Sequence, residues 1–148
     1  MNKRKPTYLS FKISKENYAV STSKVMEVLE PQYITPVPNA LEFIKGLITF
    51  RGSIIPVVCL HQKLNLSIEK VLSRFVIIIF DTVLNHKKVT IAAIADSVNE
   101  VITMTDDRIM PVPETGIMFD SDYLTGMLNH NDTYALILDI DKILAYNN

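Results

Sequence analysis

The chain has 148 residues, 48% of them apolar and 21% charged, an ordinary globular composition. Its 15 basic and 16 acidic residues leave a net charge of −1. Nucleic-acid affinity rests mainly on basic residues that neutralise phosphates, so this balance argues against nucleic acid. Cys59 is the only cysteine, so no internal disulfide can form.

Along the chain, Lys3-Arg4-Lys5 is the one block of like charge and reads as a solvated terminus. No apolar stretch of signal-peptide type follows it. Tyr8 to Ile13 alternates as a half-buried strand should, and Ser14-Lys15-Glu16-Asn17 connects it to a strand at Tyr18-Ala19-Val20. Ser23 is expected to cap a short turn carrying Val25, Val28 and Leu29. Asn39 to Glu42 reads as a helix start, with Gly46 where that helix ends. Ile54 to Val58 is a strand, and Pro56 predicts an edge position or a bulge there. Leu60 to Leu64 forms a helical turn.

Phe75 to Phe80 is the longest apolar run, six residues against the roughly twenty of a membrane span. It predicts a buried strand. Asn85 to Lys88 then turns the chain into Val89 to Ala95. Asp120 to Gly126 repeats the earlier cap-and-glycine pattern. Tyr134 to Leu138 is a strand, and Ile140 to Leu144 a final turn. Composition and the lack of a span predict a soluble, cytoplasmic protein.

The chain also resembles itself. Pro36-Val37-Pro38 recurs as Pro111-Val112-Pro113, 75 positions on, and Val25-Met26-Glu27-Val28 as Val98-Asn99-Glu100-Val101, 73 on. Gly46-Leu47 recurs as Gly126-Met127, and Leu60 with Leu64 as Ile140 with Leu144, both 80 on. Two related units of about 70 residues are too small for separate roomy cores. They should pack together and could exchange strands. Many short strands, turn signals and few helices predict an all-β fold of small barrels.

Catalytic patterns are sparse. Cys59-x-His61 supplies two ligands, too few for a zinc site. Gly46 to Ser53 has the wrong spacing, and no lysine before the serine, for a phosphate-binding loop. Asp120-x-Asp122 and Asp139-x-Asp141 lack the glycine and glutamate of a calcium loop and read as caps. Cys59 lies in an apolar run, which disfavours a reactive thiolate. Neither metal nor cofactor is expected, and no enzymatic activity. Arg51 stands out instead. Gly46 and Gly52 bracket a strand ending at it, and its guanidinium fork suits a carboxylate or carbonyl on a partner. The second unit has Asn131 and Asp132 in that place, so an arginine is not required by the fold.

The segment Phe43 to Val58, with its Ile44-Lys45-Gly46, Phe50-Arg51-Gly52 and Pro56-Val57-Val58, resembles the CheW-like chemotaxis coupling family. So do Tyr8 to Ile13 with Tyr18 to Val28, Asp96 to Val101, Arg108 to Pro113, and Tyr123 to Gly126. The resemblance runs from about Tyr8 to Leu144. It implies two five-stranded SH3-like or OB-like barrels, with short helical turns and a short C-terminal helix. Residues 7–148 would form one CheW-like domain, with subdomains at roughly 7–66 and 72–146 and swapped strands.

It also implies a non-enzymatic adaptor that couples the cytoplasmic tip of a methyl-accepting chemoreceptor to the regulatory domain of the histidine kinase CheA. Such a protein is cytoplasmic and recruited to membrane receptor arrays, without inserting in the membrane. By motif position, Val25, Lys45, Gly46 and Arg51 would meet the receptor. Thr22 and Glu27 would meet the kinase, and Met110 and Thr115 would form a second kinase contact. The same fold serving another receptor–kinase pathway, such as surface motility, is the alternative; a nucleic-acid-binding barrel is the reading from another class. The family's Asp-Leu-Arg appears here as Cys59-Leu60-His61, a usual glycine as Ala92, and the second kinase contact is less aromatic or charged than is common.

Overall fold

In the computed structural model, which describes residues 6–66, 74–113 and 121–145, the described chain is mostly β-strand. The first half carries β1 (Thr7–Ile13), β2 (Glu16–Ser21), β3 (Val25–Leu29), β4 (Ile44–Phe50), β5 (Ser53–Cys59) and the helical turn α1 (Leu60–Lys63). The second carries β6 (Val76–Leu84), β7 (Lys87–Ala95), β8 (Ser97–Thr103), β9 (Leu124–His130), β10 (Thr133–Leu138) and α2 (Ile140–Ile143).

Two five-stranded sheets result, in the orders β8-β1-β2-β10-β9 and β3-β6-β7-β5-β4. Each sheet borrows the first hairpin of the other half. β1 and β2 join β8, β9 and β10, while β6 and β7 join β3, β4 and β5.

This exchange explains the hydrophobic pattern. Residues Ile77 to Phe80 of β6 and Ile91 to Ala95 of β7 are buried on both faces, so these stretches run apolar without alternation. Ile78, Phe80, Ile91 and Ala93 face a core shared with Leu9, Phe11 and Tyr18 of the other sheet. Ile77, Ile79, Ala92 and Ile94 face a second core with Ile48, Ile55 and Val57. A third gathers Ala19, Ile102, Leu128 and Ile137.

Both sheets curl until the chain leaving one outer strand meets the other. Thr35, beyond β3, exchanges two hydrogen bonds with Leu47 of β4, at 2.9 and 2.8 Å. Met110, beyond β8, does the same with Met127 of β9, at 2.8 and 2.9 Å.

Four local expectations are corrected. Residues 39–46 form no helix: the chain turns, and Gly46 lies inside β4. Its glycine serves the crossing at Thr35, not a helix end. Val25 to Leu29 is strand, because β6 offers a ladder for it, and the preceding 3₁₀ turn Thr22–Lys24 is capped by Ser21. Pro56 lies in an inner strand. It is tolerated because the ladder to β7 begins at Val57 and its β4 partner Leu47 spends its own bonds on Thr35. The hairpin loops are tighter than the four-residue turns expected. The ladders run up to two-residue turns, Ser14-Lys15 and Asn85-His86, each with two positive φ values.

Candidate functional site

The β4–β5 hairpin builds the most exposed feature around the expected contact residues. Arg51 and Gly52 form its two-residue turn, at φ +48° and +82°, the mirror-image turn that matches strand twist. This lifts Arg51 off the sheet, with 65% of its side chain exposed. Its guanidinium carbon lies 4.9 Å from the centroid of the Phe50 ring. Its Nη2 stands 3.7 Å from Glu27 Oε2. An exposed pair at that distance contributes little stability, roughly 0–1 kcal/mol. Its consequence is placement: Arg51 and Glu27, expected to serve different partners, form one feature.

Glu27 comes from β3, where Met26 is a bulge. Val25 pairs Phe80 and Glu27 pairs Ile79, with Met26 left between. The bulge turns Val25 towards the core shared by the sheets and Glu27 towards the opposite face. Lys45 is the bulged residue of β4, between Ile44 opposite Val58 and Gly46 opposite Val57. It is exposed. On the same sheet Met26 and Val28 of β3 and Ile54 of β5 are exposed apolar side chains, Ile54 at 71%.

Gly46 is buried and contributes shape, not a contact surface. Its φ is +153°, and a Cβ there would lie 2.2 Å from Thr35 O. Thr22 lies where the chain passes from one sheet to the other. Its hydroxyl hydrogen-bonds Thr7 Oγ1 and donates to Thr7 O at 3.2 Å. Met110 is far along the chain on the other sheet, half-buried at its bridge to Met127. Thr115 lies outside the described residues. So the structure joins Val25, Glu27, Lys45 and Arg51 in one sheet and leaves Met110 on the other.

A cleft of about 370 Å³ opens beside the β9–β10 hairpin, floored by Ile102, Leu128 and Ala135. His130 Nε2 lies 3.2 Å from Glu100 Oε1 on its rim. Ser10 donates to the Glu100 carbonyl, so its hydroxyl is not set against a base. Cys59 Sγ is 3.7 Å from His61 Nδ1, both fully interior. Among the described residues, no three or more His, Cys, Asp or Glu side chains come together as a metal site. Nor is any described helix long and apolar enough to cross a membrane.

Sequence reasoning missed two ties. His61 Nε2 meets Asp96 Oδ1 at 3.0 Å, and Asp96 Oδ2 accepts from Ser14 N at 2.7 Å. Asp141 receives Lys24, Thr82 and Val83. The repeat held the signal, since His61 and Asp141 are 80 positions apart, like Gly46 and Gly126.

Comparison with known proteins agrees with this architecture. The family model described as CheW-like domain matches residues 7–147. "Chemotaxis protein CheW" of Klebsiella aerogenes is 29% identical over 138 residues, covering 93% of this chain and 81% of that protein. The protein of the same name from Thermotoga maritima is 30% identical over 136 residues, covering 92% and 85%. The crystal structure of the scaffolding protein TtCheW from Thermoanaerobacter tengcongensis superposes with a TM-score of 0.84 at 26% identity, covering 99% of this chain and 92% of that one.

Proposed function

The chain belongs to the CheW-like domain family, and on that premise we propose that it is a non-enzymatic chemotaxis adaptor joining a chemoreceptor's cytoplasmic tip to the histidine kinase CheA. It works in the cytoplasm and reaches the membrane only through the receptor. The observation that carries this reading is the exposed Arg51–Glu27 pair on the sheet that also bears exposed Met26, Ile54 and, at the far end of β4, Lys45. A directional cation next to apolar side chains is what a helical receptor tip needs for anchoring and register. Val25, Lys45 and Arg51 meet the receptor, with Gly46 shaping the strand beneath them. Thr22 and Glu27 meet the kinase regulatory domain, and Met110 with Thr115 forms a second kinase contact on the other sheet.

Coupling requires no bond-making step. One chain that binds two partners raises the effective concentration of each for the other, and an array multiplies this. Titration of the purified chain with a receptor cytoplasmic fragment, and separately with the kinase regulatory domain, tests the reading. Arg51→Ala should weaken receptor binding by roughly 1–3 kcal/mol. Unchanged receptor affinity in a folded variant rejects the assignment of Arg51.

A further inference from the structure

The strand that carries Val25 and Glu27 is held at its entrance by a residue from the far end of the chain. Asp141, on α2, accepts from Thr82 Oγ1 at 2.7 Å and from Val83 N at 3.1 Å. Lys24 Nζ donates to both its oxygens, at 2.9 and 3.2 Å. Lys24 ends the 3₁₀ turn and directly precedes Val25. The β3–β6 ladder stops at Val25 opposite Phe80. Beyond that point the outer edge of β6 no longer pairs with β3, and the Asp141 carboxylate takes the Val83 N–H. One side chain thus fixes the edge of β6 and the direction from which the chain enters β3.

Burial of Asp141 pulls its pKa up. The hydrogen bonds from Thr82, Lys24 and Val83, with the charge of Lys24, outweigh that and hold it below its ordinary 3.8. The carboxylate therefore stays charged under ordinary conditions. The first half has a tie of reversed order at the same place. His61 meets Asp96, which directly precedes β8 as Lys24 precedes β3. Only the Lys24 tie leads into the segment assigned to partners.

The geometry points to Asp141 and Lys24 as positioning residues for the adaptor face, holding residues 22–27 in the conformation that both partners meet. This rests on the adaptor reading above. Four variants of the full chain test it: Lys24→Met, Lys24→Arg, Asp141→Asn and, as a contact control, Arg51→Ala. Affinities for the receptor fragment and the kinase regulatory domain are measured beside amide hydrogen exchange at residues 22–27.

Lys24→Met and Asp141→Asn should each weaken binding of both partners by roughly five- to tenfold and speed exchange at residues 22–27. Lys24→Arg should restore both to within about twofold. Asp141→Asn leaves Lys24 in place, so its effect separates positioning from direct contact by the lysine. Native affinities and native exchange in both disrupting variants would overturn the inference. If Arg51→Ala, or even the native chain, shows that the adaptor reading itself is wrong, exchange still decides: faster exchange in Lys24→Met, reversed in Lys24→Arg, supports the tie, and unchanged exchange removes it.

Discussion

A Cβ on Gly46 would stand 2.2 Å from Thr35 O and 2.8 Å from Ile34 Cγ2. Its counterpart Gly126 is less crowded by backbone: a Cβ there meets Ile109 Cγ2 at 2.6 Å and Met110 O at 3.2 Å. A methyl group of Ile109 can move aside; the Thr35 carbonyl, held by the bond it accepts from Leu47 N, cannot. Gly46→Ala should therefore destabilise the chain by roughly 3–5 kcal/mol, from overlap plus its φ of +153°, and Gly126→Ala by markedly less. Urea melts of the two variants compare them directly, and equal losses would contradict this ranking.

Tyr18 gives a second residue-scale test. Burial first, and then the charge of Glu16, push its pKa from 10.0 up to about 12. A raised value means that the folded state keeps the proton longer. The associated stability is whole below pH 10.0 and drains away as pH rises towards about 12. Melts between those limits should show the native chain losing roughly 2–3 kcal/mol that Tyr18→Phe does not lose. Parallel losses in both would refute that origin.

At the scale of elements, the two short helices differ in their caps. Asp139 accepts from Lys142 N at 3.2 Å at the start of α2. Cys59, in the matching place before α1, makes no side-chain cap bond. Asp139→Ala should cost about 1 kcal/mol, and Cys59→Ala should show no loss from capping. Thermal unfolding of Asp139→Ala that matches the native chain would contradict the capping role.

Strands were legible where the residues alone decide them. Tyr8 to Ile13 alternates, and Phe75 to Phe80 is continuously apolar because it is buried on both faces. The helix expected up to Gly46 failed for a non-local reason. Gly46 is a glycine because Thr35 crosses it, and no local pattern separates that from a helix end. Arg51 was visible as an exception to the repeat. Its pairing with Glu27 was not, since the bulge at Met26 decides which face Glu27 takes. The tie of Asp141 to Lys24 spans 117 residues and leaves no local trace.

At the scale of the molecule, neither half owns a complete sheet. The β1–β2 hairpin lies between β8 and β10, and β6–β7 lies between β3 and β5. The central core draws on both sheets at once. Residues 1–70 and 71–148, prepared as separate fragments, should each lack stable strand structure and regain it on mixing. Circular dichroism of the fragments, alone and combined, measures this, and an independently folded first fragment would contradict the exchange. The same interlocking gives a scaffold what it needs. Through the core they share, the two sheets pack as one interlocked unit among the described residues.

An adaptor of the proposed kind must hold two partners at once, with Arg51 facing only one of them. The direct measurement is size-exclusion chromatography with light scattering on the chain mixed with a receptor cytoplasmic fragment and the kinase regulatory domain together. The native chain should elute as a single complex of all three masses, and Arg51→Ala should carry the kinase domain but shed the receptor. Mutually exclusive binding, or a native chain that elutes free of both, would contradict it.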